Sequence, residues 1–184
     1  MRNSRSVEAL SSAELSRNLV YAGLFLVAAE LIKELVVTRV KEFYSDTVFG
    51  PGLPFTSYAK DVRSRHKIAY EASLLFLRDH LKALGPEHVL AIQAVRERRN
   101  KLAHELAKRI VSMNPVENEA LLTRARSALF RLSNLWTYFD IGADPELASK
   151  DIDWTQVYGE ELMLLDHVIE KTRELRGAKD EKDG

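Results

Sequence analysis

The stretch best suited to chemistry is RERRNKLAHE, residues 96–105, which brings Arg99, Asn100 and His104 close together. An imidazole exchanges protons near neutral pH and therefore serves as a general acid or base. A guanidinium stays charged and stabilises negative charge that develops on a phosphate. A neighbouring amide can orient the imidazole or bind a phosphate oxygen. These side-chain types favour acid–base chemistry on an anionic substrate.

Arg99 is also the residue that breaks the apolar pattern of its helix. The stripe contains Ile92, Val95 and Leu102, and Arg99 is the position that continues it between Val95 and Leu102. A charged side chain there must reach solvent, find a partner or face another subunit. Asn100 and His104 are four residues apart, so they share a face and can hydrogen-bond. A structural ion pair or an Arg99 side chain that extends to solvent is the alternative to a functional role.

The composition predicts a single all-α domain. The chain has 184 residues, with 8 Gly, 5 Pro and no Cys, so it lacks disulfides and thiolate chemistry, and we expect a cytoplasmic location. The most apolar run, residues 19–29, is broken by Glu30 and is too short for a membrane span, which needs about 20 apolar residues. Glu30 and Glu34 therefore predict partly buried ion pairs or polar groups that reach a cleft.

Helical periodicity predicts an up-and-down helical bundle. We expect helices at residues 13–44, 58–84 and 86–113, a fourth that ends near residue 139, and a fifth near 154–175. The loop at residues 49–57 holds two Gly and two Pro. The predicted organisation is an N-terminal tail (1–12), the bundle (13–139), an acidic linker (140–153), a C-terminal helix packed on the bundle (154–176) and a disordered tail (177–184).

The charges are unevenly distributed although they cancel overall. Residues 96–109 contain six basic and two acidic side chains, whereas residues 140–170 contain nine acidic side chains and one lysine. The basic stretch indicates a polyanionic partner, unless both stretches are simply solvated helix faces.

RNKLAH, residues 99–104, resembles the signature of the HEPN domain, an Arg followed after four to six residues by a His. Asn100 occupies the position after the Arg that often holds Asn, His or Asp, and the motif lies on the third predicted helix. The resemblance covers about residues 11–139. It implies a four-helix bundle of HEPN type, with the fifth helix as an addition to it.

The resemblance also implies a metal-independent endoribonuclease that acts as a homodimer, as a toxin or a phage-defence effector, with an antitoxin or regulatory protein as a further partner. His104 would transfer protons, and Arg99 would stabilise the phosphate. Asn100 would hold the imidazole in one tautomer or bind a phosphate oxygen. Cleavage through the ribose 2′-hydroxyl would leave a 2′,3′-cyclic phosphate and would spare DNA. RNA-binding roles fall to four basic residues of the same stretch: Arg96, Arg98, Lys101 and Lys108.

A non-catalytic alternative remains open. The segment PFTSYAKDVRSRHKIAY, residues 54–70, followed by RNKLAH also resembles mannitol-repressor-like proteins, which implies a helical module that binds protein or nucleic acid. In that case the Arg–Asn–His set would form a polar network at a dimer interface. The other histidines lack metal-ligand spacing, and the chain has no phosphate-binding or dinucleotide motif, so we expect neither a metal nor a cofactor.

Overall fold

A computed structural model describes residues 10–46, 54–142, 144–147 and 150–180. Throughout these ranges the chain forms helices and loops without a β-strand, which confirms the all-α prediction. The helices are α1 (Ser12–Lys33), α2 (Arg39–Asp46), α3 (Pro54–Asp61), α4 (Ala69–Asp79), α5 (Pro86–His104), α6 (Leu106–Arg109), α7 (Pro115–Ile141) and α8 (Glu160–Asp180).

Helices α1 and α2 form one continuous rod with a π-helical turn at Glu34–Thr38. The rod begins with a capping box, in which Ser11 Oγ accepts from Glu14 N at 3.2 Å and Glu14 Oε2 accepts from Ser11 N at 3.0 Å. In the π-helical turn, the Leu35 carbonyl accepts a hydrogen bond from Trp136 Nε1 at 2.9 Å. The wider turn therefore fixes the rod against α7.

The expected helix at residues 58–84 is instead divided into α3, a 3₁₀ turn at Arg63–Arg65 and α4. His66 has an extended backbone, and its Nδ1 accepts from Ile68 N at 3.1 Å, just before α4 begins. The imidazole thus satisfies one of the backbone donors that a helix N-terminus leaves free. Of the loop expected at residues 49–57, residues 49–53 lie outside the described ranges, and residues 54–57 form the start of α3 instead.

Helices α1, α5, α7 and α8 pack around one apolar core, whose largest buried side chains include Phe25, Ile32, Ile92, Leu102, Leu129 and Leu162. Asn18 Nδ2 donates to Ile110 O at 2.7 Å, and Arg99 contacts Glu30. These two contacts show that α1 and the α5–α6 segment run in opposite directions.

Helix α8 lies against α7 and α1 and begins at Glu160, later than the expected residue 154. The preceding segment is held on α7 as a loop, because Asn134 Nδ2 donates to Val157 O and Gly159 N donates to Ser133 Oγ, each at 2.7 Å. Helix α8 continues to Asp180, so residues 177–180 are helical and do not belong to the disordered tail expected at residues 177–184. Within the described ranges, none of the helices has the length and low charge that a bilayer crossing requires.

Candidate functional site

The RNKLAH segment borders an open groove between α1, α4 and α5. The groove encloses about 260 Å³ and is lined by Ala29, Glu30, Lys33, Tyr70, Val95, Arg96, Arg99 and Asn100. We call it the motif groove. Three helices distant in sequence therefore supply its polar groups. Three of its side chains are cationic, and one is a carboxylate.

Arg99 reaches across the motif groove to α1. Its Nη2 donates to Glu30 Oε1 at 2.8 Å, and its Nη1 donates to Asn100 Oδ1 at 3.4 Å. The side chains of Arg99 and Glu30 are 37% and 47% exposed, whereas Val95 and Leu102 on the same helix are buried. Arg99 thus leaves the core stripe by extending to a partner at the protein surface.

Glu30 is shared between two cations. Its second oxygen accepts from Lys33 Nζ at 2.7 Å. The Lys33 ammonium, together with the Arg99 guanidinium, lowers the pKa of Glu30 below its ordinary value. The carboxylate is therefore charged at neutral pH, and it occupies the position in the groove where an external anion would meet both cations.

Arg96 and Tyr70 form the wall contributed by α4 and α5. The Arg96 guanidinium lies 4.8 Å from the Tyr70 ring centroid and forms an ion pair with Glu71, which also accepts from Gln93 Nε2 at 2.7 Å. Burial raises the pKa of Tyr70, so its hydroxyl keeps its proton and remains a hydrogen-bond donor. This wall is rigid, because Arg96 is held on two sides.

His104 does not line the motif groove. It is the last residue of α5, it is exposed, and within the described ranges it makes no hydrogen bond or ion pair. The hydrogen bond expected between Asn100 and His104 is not formed, since Asn100 Oδ1 accepts from Arg99 instead. The backbone turns at Glu105, whose φ of −123° ends the helix directly after the imidazole. The single helix expected at residues 86–113 is therefore wrong, because it is divided here into α5 and α6. The imidazole is therefore free to contact a bound molecule.

The other basic residues of the motif segment point in different directions. Arg98 is turned toward α7, where its Nε donates to Asn118 Oδ1 at 2.8 Å and its side chain is only 12% exposed. Lys101 and Lys108 are exposed. Of the four residues expected to bind RNA, only Arg96 lines the motif groove.

Sequence analysis missed Lys33 and Tyr70 as groove residues, but it did single out Glu30. The signal for Glu30 was a carboxylate within an apolar helical run, and the structure explains it through the contact with Arg99. Tyr70 gave no signal, because its place in the groove depends on how α4 packs. Among the described side chains, no group of three or more His, Asp or Glu is arranged to hold a metal ion.

Comparisons of the chain with protein-family models, with curated proteins and with solved structures found no match. The functional argument therefore depends on the groove itself. Its cations, amide and phenol provide several hydrogen-bond donors for one anionic group, and an exposed imidazole lies on the next turn of α5. This set suits the binding of a phosphate and the transfer of protons beside it.

Proposed function

We propose that the protein is a metal-independent endoribonuclease with a bundle of HEPN type and that it acts as a homodimer. The observation that carries the proposal is the groove that joins Arg99 and Asn100 to Lys33 and Tyr70, with the exposed His104 one turn away. A phosphodiester in this groove would meet cations on two sides.

The reaction needs no metal and no covalent enzyme intermediate. An imidazole removes the proton of the ribose 2′-hydroxyl, and the oxygen attacks the adjacent phosphorus. Arg99 stabilises the charge that accumulates on the non-bridging oxygens. The bond to the 5′-oxygen breaks, that oxygen takes a proton from the second histidine in its imidazolium form, and a 2′,3′-cyclic phosphate remains. Since each chain has one motif histidine, a dimer supplies the acid and the base.

The test is cleavage of a labelled single-stranded RNA in EDTA by the wild type and by Arg99→Ala and His104→Ala variants. Two matched controls remove the same side chains elsewhere: His167→Ala on α8 and Arg124→Ala on α7, both exposed positions. We expect the wild type and both controls to cleave the RNA and to leave a cyclic phosphate, detectable by mass spectrometry. A DNA strand of the same sequence should remain intact.

Two results would overturn the proposal. Equal cleavage by all five proteins would assign the activity to a contaminant. No cleavage by the wild type across a range of RNAs would show that the protein is not a ribonuclease. In the second case the ion pair between Glu30 and Arg99 favours the non-catalytic module, in which the polar set is structural. That function predicts that Arg99→Ala lowers stability and that there is no activity to lose.

A further inference from the structure

The outer face of α1 is apolar, and no other part of the chain that the structure describes covers it. Leu19, Val20 and Val27 are 48%, 46% and 45% exposed, although the other faces of α1 build the core. With Gly23 and Glu30 they recur every three or four residues, so they form one stripe along the helix. A contiguous apolar stripe of this kind marks a contact surface.

This stripe is continuous with the motif groove. An open apolar depression of about 470 Å³ lies along it, lined by Leu26, Val27, Glu30, Leu31 and Glu34. Glu30 borders both the depression and the motif groove. A partner seated on the stripe would therefore touch the edge of the candidate site.

Gly23 lies at the centre of the stripe and presents bare backbone. A Cβ atom added there would meet nothing within 4 Å, so the space above it is open. Glycine is less favourable than alanine within a helix, but it permits another helix to approach closely. Its position between exposed apolar residues makes it a suitable crossing point for a second helix.

His104 lies at the level of this crossing point. Arg99 contacts Glu30, and the Ile110 carbonyl contacts Asn18, so 11 residues of the α5–α6 segment run alongside 12 residues of α1 in the opposite direction. His104 therefore lies level with about residues 24–25 of α1, close to Gly23. Glu30 is seven residues from Gly23, or about 10 Å along the helix axis.

We propose that a second copy of this chain covers the stripe, with the two α1 helices antiparallel and crossing at Gly23. This inference rests on the proposed function, which needs two motif histidines in one cleft. A two-fold axis at Gly23 brings both His104 imidazoles near the axis, with a motif groove on each side of it. The proposed catalytic site is incomplete without the partner, because each chain supplies a single motif imidazole.

Charge selects the antiparallel arrangement. The stripe ends in Glu30 and Glu34, so a parallel pair would bring four carboxylates together. In the antiparallel pair Glu30 meets the level of the partner's Ser16 and Arg17, since Glu30 and Ser16 are both seven residues from Gly23. Val27 then faces the partner's Leu19, and an apolar contact is buried on each side of the axis.

A single cysteine tests the crossing point, because the chain has none of its own. Helices packed about 8–10 Å apart, with Cα atoms about 2.3 Å from each axis, have facing Cα atoms roughly 3.4–5.4 Å apart. That range overlaps the separation that a disulfide requires, about 4.4–6.8 Å. Mild oxidation of Gly23→Cys should therefore give a covalent dimer at micromolar concentration. Leu90→Cys, at a 66% exposed position of α5, should remain monomeric on a denaturing gel.

A second experiment measures mass by sedimentation equilibrium. Val27→Asp should raise the Kd for dimer formation at least about 10-fold, because a carboxylate would be buried in the apolar contact. The matched Leu90→Asp should keep the wild-type Kd. A monomeric wild type, a Gly23→Cys variant that cross-links no faster than the control, or an unchanged Kd in Val27→Asp would each overturn the interface.

The interface and the activity are read independently. A wild type that dimerises through Gly23 and cleaves no RNA would preserve the interface and remove the proposed function. A wild type that cleaves RNA, together with a Gly23→Cys variant that cross-links no faster than the control, would preserve the function and remove the interface. If both hold, Val27→Asp should lose cleavage in step with its loss of dimer.

Discussion

Two of the clusters in which arginine meets glutamate differ in how exposed the carboxylate is and in whether it borders an open volume. On α7 the Glu119 side chain is 12% exposed, and its two oxygens accept from Arg173 and Arg176, each at 2.7 Å. In the motif groove Glu30 is 47% exposed and beside an open volume of about 260 Å³. We refer to the first set as the Glu119 cluster.

The first cluster holds two helices together, whereas the second is arranged to bind an anion. The Glu119 cluster uses a nearly buried carboxylate to fix the C-terminal half of α8 on α7. The motif groove keeps its cations within reach of solvent, and Arg99 is held by a partner that another anion can replace. Surface ion pairs contribute only about 0–1 kcal/mol, so such a replacement is energetically accessible. Mutation in the motif groove should therefore lower activity more than stability. Mutation in the Glu119 cluster should lower stability and leave activity unchanged.

The largest effect we predict is on catalysis. Arg99→Ala should lower RNA cleavage at least about 100-fold, because in the proposed mechanism it removes the charge that stabilises the transition state. The free energy of unfolding should change by less than about 1 kcal/mol, since the lost ion pair is half exposed. Single-turnover cleavage and urea unfolding measure the two quantities. A loss of stability that accounts for the loss of cleavage would place Arg99 with the Glu119 cluster.

The next effect concerns the fastening of α8. Glu119→Ala should lower the free energy of unfolding by about 2 kcal/mol, because two charged hydrogen bonds disappear together. The loss stays below that of a fully buried pair because Arg173 and Arg176 are about half exposed and return to water.

Glu174→Ala is the matched control for this loss, since Glu174 pairs with Lys171 on the surface of α8. It should change the free energy of unfolding by less than about 0.5 kcal/mol in the same urea titration. RNA cleavage should be unchanged in Glu119→Ala where the protein is folded. Equal stability losses in the two variants would show that the Glu119 cluster contributes no more to stability than an exposed ion pair.

A smaller contrast lies within the basic segment itself. Arg98→Ala should destabilise the protein by about 1–2 kcal/mol, because it leaves Oδ1 of the buried Asn118 without its hydrogen-bond donor. Lys101→Ala should leave stability unchanged and should weaken RNA binding, with the salt dependence of log Kd reduced by about one counterion. Binding titrations at several salt concentrations measure this. If Arg98→Ala instead weakened RNA binding without loss of stability, Arg98 would have to leave Asn118 on α7 and contact RNA.

These contrasts also show what the sequence could predict. Periodicity and the scarcity of glycine were sufficient for an all-α chain whose first helix, expected from residue 13, begins at Ser12. The division at residues 62–68 was not visible, because no Gly or Pro marks it and it depends on local bonds such as that between His66 and Ile68. Arg99 could be identified as an anomaly, but Tyr70 and Lys33 join it only through tertiary packing.

The smallest predicted effect tests whether the Glu30 carboxylate occupies the position that a phosphate of RNA would take. In a His104→Ala background, where RNA is bound without being cut, Glu30→Gln should tighten binding by about 1.4–5-fold. This range corresponds to the roughly 0.2–1 kcal/mol of an exposed ion pair that RNA no longer has to displace. Glu30→Gln should have the same effect throughout the neutral range, because Lys33 holds the pKa of Glu30 below its ordinary value.

The sign of the pH dependence follows from that lowered pKa. The folded protein favours the charged form of Glu30, so its ion pairs are present above the ordinary carboxyl pKa and are lost as the pH falls through the lowered one. The advantage of Glu30→Gln in RNA binding should fade over the same interval, as the wild-type carboxylate becomes neutral. Fluorescence anisotropy with one RNA at several pH values measures it. Weaker binding by Glu30→Gln would instead show that the carboxylate positions Arg99 for the phosphate.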